Sequence, residues 1–201
     1  MMKNTEWGAV AYLAHSKYGR NGTEVRINNN TGYYTGWGAT THNAAKVSYN
    51  ASSVGNLWTG QYGLLASSTG NIYGIYDLSG GAYEYTAAYI SGGDTSPGTD
   101  IVSATSKYKN VYTTYAKTAN KYGDAIYETS AGGTSGSSKS WFGGYSGMPE
   151  SLSPFFVLGG GCDSGASAGL FSFRSNNNFG GAHSNMGFRI VVVRFVNNMP
   201  I

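Results

Sequence analysis

Gly74-Ile75-Tyr76-Asp77-Leu78-Ser79-Gly80-Gly81-Ala82-Tyr83-Glu84-Tyr85 is the stretch on which the fold reading turns. At its centre, Gly80 and Gly81 accept positive φ without steric cost, so the chain is expected to turn tightly there. Asp77 and Glu84 flank that turn in a chain whose charged residues make up only 11%, against about a quarter in an average globular domain. A tight turn can gather both carboxylates and the intervening carbonyls, and hard oxygen ligands of that kind suit Ca²⁺ rather than a transition metal. The alternative at Glu84 is a buried carboxylate that accepts hydrogen bonds from turn N–H groups and holds no metal.

Downstream, Gly159 to Arg189 is built almost wholly of Gly, Ser, Asn, Ala and Phe. Small polar residues give adaptable hydrogen bonding, and aromatic rings give rigid contact area, which is the composition of a recognition surface. A plain Gly-rich surface loop is the other reading. The run Phe155-Phe156-Val157-Leu158 leads into Gly159-Gly160, and Gly187-Phe188-Arg189 leads out, so two strands are expected to hold one long loop. On the recognition reading Phe171, Phe173, Arg174, Phe179 and His183 are solvent-exposed on one face. Arg174 would offer a planar group with five donors there.

The 201 residues, 40% of them hydrophobic, are enough for one domain with a core, and no repeat or composition shift divides them, so residues 1–201 are read as a single domain. Gly (31) and Tyr (17) are abundant, which predicts a loop-rich chain whose hydroxyls replace ion pairs. The net charge of +3 comes from scattered Lys and Arg, without the basic stripe of a nucleic-acid binder. No apolar run reaches about eighteen residues and no signal-like segment opens the chain, so no membrane insertion is expected of this segment. The single cysteine, Cys162, allows neither an internal disulfide nor a multi-cysteine metal site.

Asn4 or Thr5 can cap a helix that carries Glu6 in its first turn and Trp7, Val10, Ala11 and Ala14 at helical spacing, before Gly19 stops it. A helix so near residue 1 leads to the expectation that the chain is the C-terminal part of a longer precursor. Asn21 to Ser68 reads as turns and short extended pieces. Tyr108, Val111, Tyr112 and Tyr115 predict a second helix within Lys107 to Tyr122. Ala131 to Ser140 has the composition of a flexible loop. Ile190 to Val196 is β-branched and nearly continuous, which predicts a strand buried on both faces. The fold class expected is therefore α+β: two helices on a small, twisted antiparallel sheet. Trp7, Trp58 and Trp141 are read as core anchors before carbohydrate-stacking rings.

The stretch Gly74 to Tyr85 resembles the "G-L-Y-D-M-x-G-N-V-W-E-W" signature of the formylglycine-generating-enzyme (sulfatase-modifying factor) family, whose fold is a variant of the C-type lectin fold. Trp7 to Leu13 resembles that family's "W-x-x-A-x-x-Y" helix. Leu158-Gly159-Gly160 with Gly187-Phe188-Arg189 resembles its "R-G-G-S-W … G-F-R" close, with Leu158 standing where the family has arginine. The resemblance implies a structural calcium held by Asp77, the carbonyls of Gly80 and Ala82, and Glu84. It does not extend to catalysis. The oxidase needs a pair of redox-active cysteines and this chain has one, while His15, His42 and His183 lack the spacing of an iron site. Cys162 has no evident basic neighbour and reads as an inert loop residue; His183 reads as a contact residue before a general base.

A second branch with the same fold is more similar still: the variable proteins of diversity-generating retroelements, ligand-binding domains in which adenine mutagenesis rewrites a C-terminal segment. Asparagine codons rewritten in that way cannot give Met, Trp, Lys, Gln or Glu, and none of the five occurs from Leu158 to Asn185. The resemblance implies a non-enzymatic receptor or adhesin whose ligand surface comprises Gly161, Cys162, Asp163, Ser164, Ser167, Phe171, Ser172, Phe173, Arg174, Ser175, Phe179, Gly180 and His183. The partner expected is a macromolecule, protein or glycan, met at a cell or phage surface, with no nucleic acid and no required cofactor beyond the structural calcium. The alternative is a non-diversified surface or pilin-associated adhesin, and after it a formylglycine-generating-type oxidase.

Overall fold

A computed structural model describes residues 1–27, 61–113, 124, 138–139, 143–161, 164–176, 183 and 185–192. The expectations for Trp58, Trp141 and His42, and those for residues 28–60 of the stretch Asn21 to Ser68 and residues 131–137 of the loop Ala131 to Ser140, lie outside them; Ser138 and Lys139 of that loop are extended.

Helix α1 spans Asn4–His15, and its buried stripe of Trp7, Ala11 and Ala14 follows the spacing read from the sequence. Its cap differs from the Asn4 or Thr5 expected. Lys3 is the cap residue, and its N–H donates to Glu6 Oε2 at 2.8 Å. Asn4 cannot serve because its side chain is turned inward into a buried polar chain: Thr86 Oγ1 donates to Asn4 Oδ1, Asn4 Nδ2 donates to Tyr112 Oη at 3.1 Å, and Tyr112 Oη donates to Asp124 Oδ2 at 2.8 Å. These bonds pair both polar atoms of the Asn4 side chain and the Thr86 and Tyr112 hydroxyls where water is excluded, so the chain fixes where the helix sits on the sheet.

The sheet contains β1 (Tyr83–Ile90), β2 (Asn110–Tyr112), β3 (Ser138–Lys139), β4 (Tyr145–Ser146), β5 (Phe155–Gly159), β6 (Gly169–Asn176) and β7 (Met186–Phe188), in the order β2-β1-β5-β6-β4-β3, with β7 also on β1. The class is α+β, but the sheet is mixed rather than antiparallel. The pairs β1–β5, β5–β6 and β3–β4 are antiparallel; β1–β2, β1–β7 and β4–β6 are parallel. A parallel pair needs a crossover of about a dozen residues or more, and the chain between β1 and β2 supplies one that includes the short helix α3 (Thr99–Ser103). The other short helix, α2, spans Gln61–Leu65.

Two sequence expectations fail here for identifiable reasons. In place of a helix beginning at Lys107 there is a 3₁₀ turn, Ser106–Tyr108, followed by β2; residues 114–123 are outside the described set. Val111 is exposed and Tyr112 buried, the alternation of a strand, and pairing of Tyr112 with Ile90 overrides the helix-like spacing. The apolar run after Arg189 is not a doubly buried strand over its described part: Ile190 and Val192 are 71% and 81% exposed. The edge of β1 that carries β7 is already filled beyond Tyr85. Ala87 N–H donates to Met2 O at 2.8 Å, and β2 takes Ala88 to Ile90, so β7 has no edge along which to continue.

Burial divides the sheet into two faces. Phe156, Leu158, Phe171 and Phe173 join Trp7, Ala11 and Ala14 in the main core, and Trp7 Nε1 donates to Leu170 O at 2.6 Å. Residues of opposite parity, Tyr83, Tyr85 and Val157, form a smaller cluster with Met1 and Met186 on the far side. Leu158 pairs with Phe173 and Val157 with Arg174, so Arg174 belongs to the face opposite α1.

Candidate functional site

The three sequence segments that carry the resemblance meet at the start of β1. Asp77 holds positive φ (58°), as do Gly80 (78°) and Gly81 (72°), and the Gly80 N–H donates to Gly159 O at 2.9 Å. Arg189, which follows β7, reaches back across the turn. Its Nε lies 2.6 and 2.7 Å from the two oxygens of Glu84, Nη2 lies 2.6 Å from Oε1, and Nη2 donates to the Asp77 carbonyl at 2.9 Å. Burial raises the Glu84 pKa, and the bonds and charge of Arg189 pull it back. Burial also pushes Asp77 up to about 6, with Arg189 opposing and the Glu84 charge reinforcing the shift.

Asp77 and Glu84 are thus brought near each other, as the spacing predicts, but a guanidinium stands where the implied calcium would use Glu84. Both carboxylate oxygens face Arg189, so the set as arranged fits a fixed organic cation and does not fit a resident divalent ion, which would have to displace it. Among the described residues no group of three or more His, Cys, Asp or Glu could hold a metal. The donors at Glu84 are those of the arginine rather than turn N–H groups.

On the face opposite α1 lies a cleft of about 470 Å³, lined by Tyr83, Tyr145, Ser164, Ser167, Ser172, Arg174 and Ser175. Its floor is β6, on which Ser172 and Arg174 alternate with the inward-facing Phe171 and Phe173. Its rim is the connection from β5. Gly160 has φ 75°, and a Cβ there would come within 2.7 Å of Ala168 Cα, so the chain can leave the sheet at this point only as glycine. The Gly161 N–H then donates to Ser164 Oγ at 3.0 Å, and a 3₁₀ turn, Gly165–Ser167, returns the chain to β6.

Hydrogen bonds hold the lining in place. Ser172 Oγ donates to Ser167 O at 2.9 Å, and Tyr83 Oη lies 2.6 Å from Ser164 Oγ. Arg174 Nη1 donates to Tyr83 Oη at 3.2 Å while its guanidinium carbon sits 4.5 Å from the centroid of the same ring. The result is a concave polar surface whose described lining carries one cation, Arg174.

Of the residues expected on a ligand surface, Ser164, Ser167, Ser172, Arg174 and Ser175 are gathered around this cleft. Gly161 is buried at its rim and His183 is exposed elsewhere along the chain. Cys162, Asp163, Phe179 and Gly180 lie outside the described residues. The expected exposure of Phe171 and Phe173 is wrong: they are 3% and 2% exposed, and Phe171 packs near Tyr12 and Phe173 near Phe156, with ring centroids 6.2 and 6.3 Å apart. For Phe173 strand parity dictates this, since Ser172 and Arg174 on either side line the cleft; Phe171 joins Leu170 in the main core where the β5–β6 register is irregular. Sequence reasoning missed Tyr83 and Tyr145, which belong to other strands, and gave Arg189 no partner.

No helix among the described residues is long and apolar enough to cross a membrane. No protein-family model, curated protein or solved structure matches the chain.

Proposed function

We propose that this chain is a non-enzymatic ligand-binding domain of the C-type lectin-like fold, similar to the variable proteins of diversity-generating retroelements, and that it presents the surface over β6 to a macromolecular partner outside the cell or on a phage. The fold reading is supported by the meeting of the resemblance-bearing segments, through Gly80 with Gly159 and Arg189 with Glu84. The observation that carries the function is the cleft. Five residues from the expected variable surface line it, and their side chains are hydroxyls and a guanidinium rather than core-filling groups.

Catalysis is the weaker reading because the chain has one cysteine. A sulfatase-type cysteine peptide should therefore stay unconverted to formylglycine with or without copper, and copper-dependent turnover lost in Cys162→Ser would overturn this. The diversification part of the proposal is tested by the DNA around the gene. A near-copy of the segment encoding residues 158–189, differing at adenines and lying beside a reverse transcriptase, is the expected result. Its absence leaves a non-diversified adhesin.

A further inference from the structure

We infer that the cleft over β6 takes a saccharide bearing a carboxylate, with the acid group on Arg174 and the ring hydroxyls on the surrounding serines and tyrosines. This rests on reading the face as a ligand surface, but not on whether its residues are diversified, since it concerns the side chains this chain now carries.

The lining decides the ligand's polarity. Four serines, two tyrosines and one arginine surround the space, with no aliphatic side chain and no carboxylate among the described lining residues. Tyr83, Ser164 and Ser172 already bond within the lining, but an apolar ligand or the side chain of a hydrophobic peptide would cover the hydroxyls of Tyr145, Ser167 and Ser175 and the Arg174 guanidinium without pairing them, and unmade polar contacts in a site discriminate more strongly than missing apolar ones. A polyhydroxylated ring supplies donors and acceptors at the density the lining requires. The volume, about 470 Å³, falls in the range of roughly 300–1,000 Å³ usual for small-ligand sites and suits a mono- or disaccharide.

Arg174 decides the charge. Its stack on Tyr83 and its Nη1 bond to Tyr83 Oη fix the guanidinium plane, while Nε and Nη2 have no hydrogen-bond partner among the described residues. A planar fork held in advance loses little freedom when it takes a carboxylate through two parallel bonds. One cation matches one carboxylate. A phosphate dianion would call for more positive charge than the described lining provides. The Tyr83–Ser164 and Ser172–Ser167 bonds hold the rim before any ligand arrives, so the site is pre-organised.

The test is calorimetric or NMR titration of the whole chain with the methyl glycosides of glucuronic acid and N-acetylneuraminic acid, each beside its own methyl ester, and with a sulfated hexose. Saturable binding of at least one acid is expected, weakened about tenfold or more both in its ester and in Arg174→Gln, because a charge-assisted bidentate pair is lost. The ester comparison needs no variant, so it reads the carboxylate even if the substitution disturbs folding. Esters that bind as well as acids, a sulfated hexose that binds as tightly as the acids, or no response to either acid at millimolar concentration would each overturn the inference. A locus carrying the near-copy and reverse transcriptase, found with a protein that ignores both acids, would leave the recognition reading and remove this ligand class. Acid binding without such a locus would keep both the recognition reading and this ligand class and remove only the diversification.

Discussion

Replacing Arg189 with alanine should cost far more than its position after a short edge strand suggests, and more at neutral than at acid pH. The arginine side chain is 30% exposed and Glu84 only 9%. Arg189→Ala therefore removes the wetter partner and leaves the drier one charged and unpaired. Losing one partner of a buried ion pair costs about 3–5 kcal/mol. At roughly 2–4 °C per kcal/mol for a chain of this size, the melting temperature should fall by about 6–20 °C at pH 7.5. Without the guanidinium nothing opposes the upward push of burial on Glu84, and Asp77 also loses its opposing charge. Both carboxyls then take up protons more readily, so the cost should shrink at pH 5. The reverse substitution, Glu84→Gln, leaves a partly hydrated cation facing an amide oxygen and should cost less than Arg189→Ala at pH 7.5. Thermal melts and urea titrations at the two pH values measure all of this. A loss below about 1 kcal/mol, the size of an exposed ion pair, or a cost that does not change with pH, would refute the argument.

Glu24 is raised to about 7, chiefly by burial, with the Val25 and Leu170 N–H groups and Arg20 opposing; its Oε2 has no hydrogen-bond partner within the described residues. A carboxyl whose folded pKa exceeds its unfolded value stabilises the fold fully below the unfolded pKa, near 4.5, and that contribution is lost as pH rises through about 7. Glu24→Gln should remove this slope and melt higher than the parent at pH 8, and equal melting temperatures at pH 8 would count against it. Gly160→Ala should lower the urea midpoint well beyond Gly165→Ala, because both have positive φ but a Cβ meets Ala168 only at Gly160; left-handed backbone alone costs about 1–2 kcal/mol. With Arg189 seated on Glu84, the melting temperature should be the same in millimolar calcium and in chelator. A rise with calcium that Glu84→Gln abolishes would place calcium where the guanidinium now lies.

Local periodicity carried what could be read directly. Trp7, Ala11 and Ala14 announce α1, and the run Phe155 to Leu158 announces a strand buried on both sides. The alternation Phe171-Ser172-Phe173-Arg174 was also present and says that the two rings face inward, but judging the segment by composition rather than by period assigns them to the surface. What no local pattern holds is the pairing of distant segments. Arg189 and Glu84 are 105 residues apart, and the only hint of their partnership is how few charges the chain contains. The short β7 and the failure of a strand after it depend on which edge of β1 Met2 and β2 have already occupied. Tyr83 and Tyr145 enter the cleft for the same reason, brought there by sheet order rather than by sequence spacing.

Strand β6 separates two kinds of mutational load. Leu158 pairs with Phe173 and Val157 with Arg174, so substitutions at 174 meet solvent and ligand and those at 172 meet the buried floor of the cleft and the Ser167 carbonyl, while those at 171 and 173 meet Phe156 and α1. Changes on opposite faces share few contacts, and changes without shared contacts combine almost additively. A library that randomises 174 freely and 172 among small polar residues, with both phenylalanines held, should explore binding with little epistasis from stability, because only 172 is buried and bonded to Ser167 O. The same library shifted by one residue should consist mostly of proteins that do not fold.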